Sequence, residues 1–187
     1  MFFSYAEKNF FYPSKVTIVN NYTKKLTRCA LVAALYALLS LLTMSFASGA
    51  VQLRISEGLC LLPLIFPETI VSVFVGCLLS NLLTGCGLID VIFGSLVTLL
   101  AGAFTCITGK VIKSTVLKIT IGGIFPVMLN AFLLPFIWIW CYGVIEYMYI
   151  IQALMLLASQ TLSVYLVGTP LYLTVKKLKD RAIPFFE

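Results

Sequence analysis

Long apolar runs separated by short polar breaks organise this chain. The first runs from about Thr27 to Ala47, ends at Ser48-Gly49, and predicts a membrane-crossing helix. A polar stretch, Gln52 to Glu57, follows it. Leu59 to Phe66 is too short to cross a bilayer and ends at Pro67. It reads as a short second helix, with Pro67 as the first residue of a third that reaches about Leu83. A fourth span covers Leu88 to about Thr108, and a fifth about Val116 to Trp140, where Pro126 and Pro135 can introduce kinks. The sixth runs from about Tyr147 to Val175. Segments such as Ala30 to Ala47 and Leu96 to Ile107 are apolar on every face. Barrel strands would alternate apolar and polar positions instead. The pattern predicts an all-α integral membrane protein of six transmembrane helices.

Composition closes the soluble alternative. Hydrophobic residues make up 61% of the chain and charged ones 11%, against about 45–50% and about 25% in soluble domains. So few charges could not cover a water-facing surface. The net charge of +6 does not point to nucleic acid, because the basic residues flank apolar runs. With the N-terminus placed in the cytoplasm, the inner segments hold Lys8, Lys15, Lys24, Lys25, Arg28, Lys110, Lys113, Lys118, Lys176, Lys177, Lys179 and Arg181. That leaves only Arg54 of the 13 basic residues outside. Cytoplasmic flanks carry the Lys/Arg excess, so six crossings with both termini inside is the expected topology. Residues 1–26 then form a cytoplasmic or interfacial segment, 27–175 the membrane domain, and 176–187 a basic cytoplasmic tail. No cleavable signal peptide is expected, since the N-terminal segment mixes aromatic residues with lysines.

The chain offers little for catalysis. It has no histidine, no glycine-lysine phosphate loop and no nucleophile beside a plausible base. Its cysteines (Cys29, Cys60, Cys77, Cys86, Cys106 and Cys141) form no CxxC pair and read as small apolar fillers. No metal or cofactor is expected in this chain. If the protein drives transport, the energy comes from elsewhere.

Polar residues inside apolar spans are costly and must pair or line a cavity. Asn81, Asp90, Asn130 and Gln160 fall on four different predicted helices. Each alone could be a helix-to-helix tie; together they raise the prospect of one shared, outward-facing pocket. Arg54 and Glu57 form either a local ion pair capping the short helix or a loop closing over a solute. Outward-side Glu57, Asp90 and Glu146 outweigh Arg54. Trp138, Trp140, Tyr142, Tyr147 and Tyr149 fit an interfacial aromatic belt, from which one ring could stack on a flat heterocycle. On the first span, Ala30/Ala34 and Ala33/Ala37 are small-xxx-small pairs suited to close helix approach, within this chain or on a partner subunit.

The runs Val51-Gln52-Leu53-Arg54-Ile55-Ser56-Glu57-Gly58-Leu59, Leu62-Pro63, Gly76 to Leu83 and Asp90-Val91-Ile92-Phe93-Gly94-Ser95-Leu96 resemble the QueT family. The resemblance extends through Pro126 and Asn130 to Gly168-Thr169-Pro170-Leu171. It implies a six-helix substrate-binding S component of an energy-coupling factor (ECF) transporter in the bacterial plasma membrane. The cargo implied is a queuosine precursor, a 7-deazaguanine such as 7-aminomethyl-7-deazaguanine, or queuine. The partners implied are a transmembrane scaffold subunit and two cytoplasmic ATPases that use ATP. Under the resemblance the alanine pairs become a docking stripe for that scaffold. The substrate-contacting candidates are Arg54, Glu57, Asn81, Asp90, Asn130, Trp138, Tyr142, Glu146 and Gln160. The family usually has Gly-Glu where this chain has Ser159-Gln160, so Glu57 or Glu146 becomes the alternative carboxylate. The remaining readings are an S component for another vitamin-like solute, and a channel or structural membrane protein outside the ECF class.

Overall fold

The computed structural model describes residues 15–44, 53–143 and 148–181, with side chains of the first segment from Tyr22 onward. Among them every regular element is helical. Helix α1 spans Lys15–Leu42, followed by a 3-10 helix at Ile55–Leu64 and by α2 at Thr69–Leu83. A π-helical turn, Asp90–Gly94, leads into α3 (Ser95–Val111), and α4 spans Thr115–Tyr142. The last stretch is α5 (Tyr149–Thr161), a second π-helical turn (Leu162–Val167) and α6 (Gly168–Asp180), joined without a break.

Among the described residues, four stretches are long and apolar enough to cross a membrane: Tyr22–Leu42, Asp90–Val111, Thr115–Tyr142 and Tyr149–Asp180. The chain is a multi-pass membrane protein. Helix α2 has 15 residues, about 22 Å at 1.5 Å per residue, short of a hydrocarbon core of about 30 Å. Several boundaries differ from the sequence reading: α6 runs to Asp180 rather than Val175, taking in the start of the expected tail, and α2 begins at Thr69 rather than Pro67. Helix α1 starts at Lys15, twelve residues before Thr27, so much of the expected N-terminal segment continues the first span. The expected break at Ser48-Gly49 lies outside the described residues. The short helix begins at Ile55 rather than Leu59, which brings Ser56 and Glu57 into it.

That 3-10 helix is the axis of the bundle. Every residue from Ser56 to Leu64 is buried, and it touches α1, α2, α3, α4, α6 and the second π turn. A 3-10 helix stacks residues i and i+3 directly above one another, so its apolar residues form separate ridges. Leu59, Cys60 and Leu62 pack with Val32 and Tyr36 of α1 and Val73 and Cys77 of α2. Leu61 and Leu64 pack with Ile119, Val127, Val164 and Tyr172 on the other side. Runs this long in 3-10 form are uncommon; here contact on all sides holds the element in shape. The closest approach is backbone to backbone. A Cβ added to Gly168 would stand 2.7 Å from the Gly58 carbonyl oxygen, so only glycine fits.

The two ends of the bundle differ. Lys110, Lys118, Lys176 and Lys179 border one cleft, and Arg28 pairs with Glu68 at 3.4 Å near that end while lying 4.0 Å over the Phe66 ring. Arg54, Asp90, Trp138 and Tyr142 gather at the opposite end.

Candidate functional site

The candidate side chains fall into two joined clusters rather than one open pocket. The deeper cluster is built around Glu57, which is 2% exposed. Burying a carboxylate is costly unless hydrogen bonds replace its water. Three neutral donors supply them. Tyr36 Oη of α1 donates to Glu57 Oε1 at 2.6 Å, and Asn130 Nδ2 of α4 donates to Oε2 at 3.3 Å. Cys60 Sγ donates to Oε2 at 3.3 Å, because the i, i+3 stacking of a 3-10 helix sets Cys60 directly beneath Glu57. Asn130 Nδ2 also reaches Gln160 Oε1 of α5 at 3.4 Å. Four elements therefore converge on one carboxylate, with Gln160 linked to it through Asn130.

Arg54 and Glu57 do not form the local pair weighed from the sequence. Arg54 stands just before the 3-10 helix with an extended backbone (φ −108°, ψ 101°), so it falls outside the i, i+3 stack that starts at Ile55. Arg54 Nη1 donates to Asn81 Oδ1 at 3.1 Å, and no side-chain bond caps the helix at Arg54. Asn81 Nδ2 in turn donates to the Asp90 carbonyl oxygen at 3.0 Å, tying the end of α2 to the first π turn. The Asp90 carboxylate accepts a hydrogen bond from Trp138 Nε1. The Tyr142 hydroxyl lies against Gly87, just ahead of that turn. Trp138 and Tyr142 thus brace α4 against the α2–α3 connection. Glu146 lies outside the described residues.

A cavity of about 170 Å³ opens between α1, α2 and Arg54, with Ser40, Ser80, Asn81 and Thr84 as its polar lining. Of the sequence candidates it borders Arg54 and Asn81. Ser40 Oγ donates to Ser56 Oγ at 2.7 Å, so one wall ends next to Glu57. Pockets for drug-sized ligands run from about 300 to 1,000 Å³. This one is smaller, and neither Asn130 nor Gln160 is among its lining residues.

Several residues of the site were not singled out in the sequence: Tyr36, Ser40, Ser56, Cys60 and Cys77. Cys77 accepts hydrogen bonds from Asn81 Nδ2 at 3.6 Å and Thr98 Oγ1 at 3.4 Å. A signal existed on α1, where Tyr36 and Ser40 stand four apart on one face of an apolar span. A tyrosine hydroxyl at that depth needs a partner.

The small-residue stripe divides. Ala33 and Ala37 are buried within the chain, where α2 approaches so closely that a Cβ on Gly76 would stand 3.0 Å from the Ala33 carbonyl oxygen. Ala30 and Ala34 are exposed, on a face continued by Leu31, Leu35 and Leu38.

The sequence model of the QueT transporter family matches residues 26–177. No curated protein and no solved structure matches the chain.

Proposed function

Because this chain belongs to the QueT transporter family, we propose that it is the substrate-binding S component of an ECF importer, with Glu57 as the anchor for its cargo. The cargo is a 7-deazaguanine queuosine precursor, such as 7-aminomethyl-7-deazaguanine, or queuine. The observation that carries this reading is a buried carboxylate whose partners are all neutral donors. A guanine-like edge presents adjacent N1–H and amino donors, which match the two oxygens of one carboxylate. The ring carbonyl beside them needs a donor, and the Asn130 amide supplies one. On this reading the ligand replaces the Asn130–Gln160 contact, and the cavity beside Ser40 and Arg54 widens to admit it.

Gln160 fits the same scheme. It lacks the charge the family usually carries there, but it is one amide away from Glu57. Glu57 then supplies the carboxylate, and Gln160 holds Asn130 in place until the ligand takes over that contact. The uncharged Gln160 also favours a second reading, another vitamin-like solute in the same pocket. The lysine-bearing end faces the cytoplasm, following the positive-inside rule, with six crossings and both termini inside. Ala30 and Ala34 dock the scaffold subunit, and ATP hydrolysis in two partner ATPases drives release inward.

Titrating the purified protein with 7-aminomethyl-7-deazaguanine, queuine, riboflavin and thiamine tests the cargo. Saturable binding of a deazaguanine in preference to the two vitamins is expected. No measurable affinity for either deazaguanine, with tight binding of riboflavin or thiamine, would defeat the assignment.

A further inference from the structure

A second cavity, of about 340 Å³, opens at the lysine-bearing end, remote from Glu57. Its walls come from the end of the 3-10 helix, the end of α3, the start of α4 and the end of α6. Lys110, Lys118, Lys176 and Lys179 border it, and Asp180 is the one carboxylate among its lining residues. Two of the ammonium groups are held in place. Lys176 Nζ donates to Thr115 Oγ1 at 2.6 Å, and Lys179 Nζ donates to the Ile65 carbonyl oxygen at 3.5 Å and stands 5.0 Å from the Phe66 ring. An ammonium carries three donors, so both keep N–H groups to offer.

We infer that this cleft binds the phosphate headgroup of an anionic phospholipid. Four cations against one carboxylate select an anion. Phosphate accepts several charge-assisted hydrogen bonds at once, and basic pockets between spans suit such headgroups. Pro63, Leu64 and Tyr172 give the cleft an apolar floor. Within two residues of Lys110 and Lys118 in sequence, Val111, Val116 and Leu117 are exposed, where α3 ends and α4 begins. A lipid satisfies both parts with one molecule, its phosphate among the lysines and its acyl chains along those apolar side chains. A soluble acidic peptide would leave that apolar border uncovered.

Native mass spectrometry of the full chain in neutral detergent tests the site, with phosphatidylglycerol, phosphatidylcholine and inorganic phosphate as probes. The wild-type protein is expected to retain one phosphatidylglycerol in preference to phosphatidylcholine. Lys110→Gln with Lys118→Gln is expected to weaken that retention roughly 25-fold, at about a factor of five per lysine. Lys24→Gln with Lys25→Gln, on α1 and outside the cleft, is expected to leave it unchanged. Equal retention of both lipids, or equal losses in the two variants, would overturn the proposal. So would saturation by inorganic phosphate without retained phosphatidylglycerol. Loss of co-purifying partner subunits in the first variant, with lipid retention intact, would assign the cleft to a protein instead and overturn it too.

Discussion

Gly168→Ala probes the contact that fixes the 3-10 helix, and through it Glu57. The new Cβ would stand 2.7 Å from the Gly58 carbonyl oxygen and 2.9 Å from Leu61 Cδ1. The leucine methyl can rotate away, but the carbonyl belongs to an element buried on all sides. Something in the axis must shift by several tenths of an ångström, and overpacking of this kind costs about 1–3 kcal/mol. Replacing a helical glycine returns about 0.5–1 kcal/mol. The net expectation is a loss of about 1–2 kcal/mol. Gly102→Ala is the matched control, since its nearest neighbours, Val73 Cγ2 at 3.5 Å and Ile70 Cγ2 at 3.6 Å, are in ordinary contact. There propensity wins, and the expected change is a gain of about 0.5–1 kcal/mol. Thermal unfolding in detergent should therefore move the two midpoints in opposite directions, by about 2–8 °C down and about 1–4 °C up. Gly58 directly follows Glu57, so Gly168→Ala should also weaken ligand binding while Gly102→Ala does not. A Gly168→Ala protein as stable as wild type, with unchanged affinity, would refute the close approach and the role given to it.

Three further outcomes follow from the same geometry. Glu57→Gln keeps one acceptor and loses the charge, so deazaguanine affinity should fall by about 2–3 kcal/mol, roughly 30- to 150-fold; calorimetric titration reads it, and an unchanged Kd would remove Glu57 from the site. Trp138→Phe deletes the donor to Asp90 and should cost about 1 kcal/mol in unfolding experiments, a value held low because both groups are partly exposed; no loss would mean the brace is not formed. Ala30→Leu with Ala34→Leu should leave ligand binding intact and abolish both uptake and co-purification with the ECF scaffold. Full uptake by that double variant would favour a carrier or channel that works alone.

The helices were legible because hydrocarbon solvent allows little else: an apolar run must satisfy its own backbone, so run length reports helix extent. The α1 start was not, since Lys15 to Leu26 is too polar for a membrane criterion yet continues the same helix. The 3-10 helix was the larger miss. Residues 54–57 look like a polar loop by composition, and only packing against six other elements makes the 3-10 helix an axis. Among the candidate residues, Asn81, Asn130 and Gln160 were legible as buried polar groups. Their partners were not, because Asn130 meets Glu57 across 73 residues of sequence, and no local periodicity encodes such a meeting. The pairing of Arg54 with Asn81 instead of Glu57 follows from a register that polar spacing cannot show. Cys60 and Cys77 read as fillers because a cysteine in an apolar run usually is one; here each lies within hydrogen-bonding reach of the polar network.

The identity of a ligand carried out of native membranes bears most directly on the central proposal. Wild-type protein and Glu57→Gln would be purified in parallel, denatured, and their released small molecules identified by mass spectrometry. The account predicts a 7-deazaguanine or queuine at near-stoichiometric amounts in the wild-type extract, and its loss from the Glu57→Gln extract. A different vitamin-like solute in the wild type, or a deazaguanine carried equally by both proteins, would contradict it.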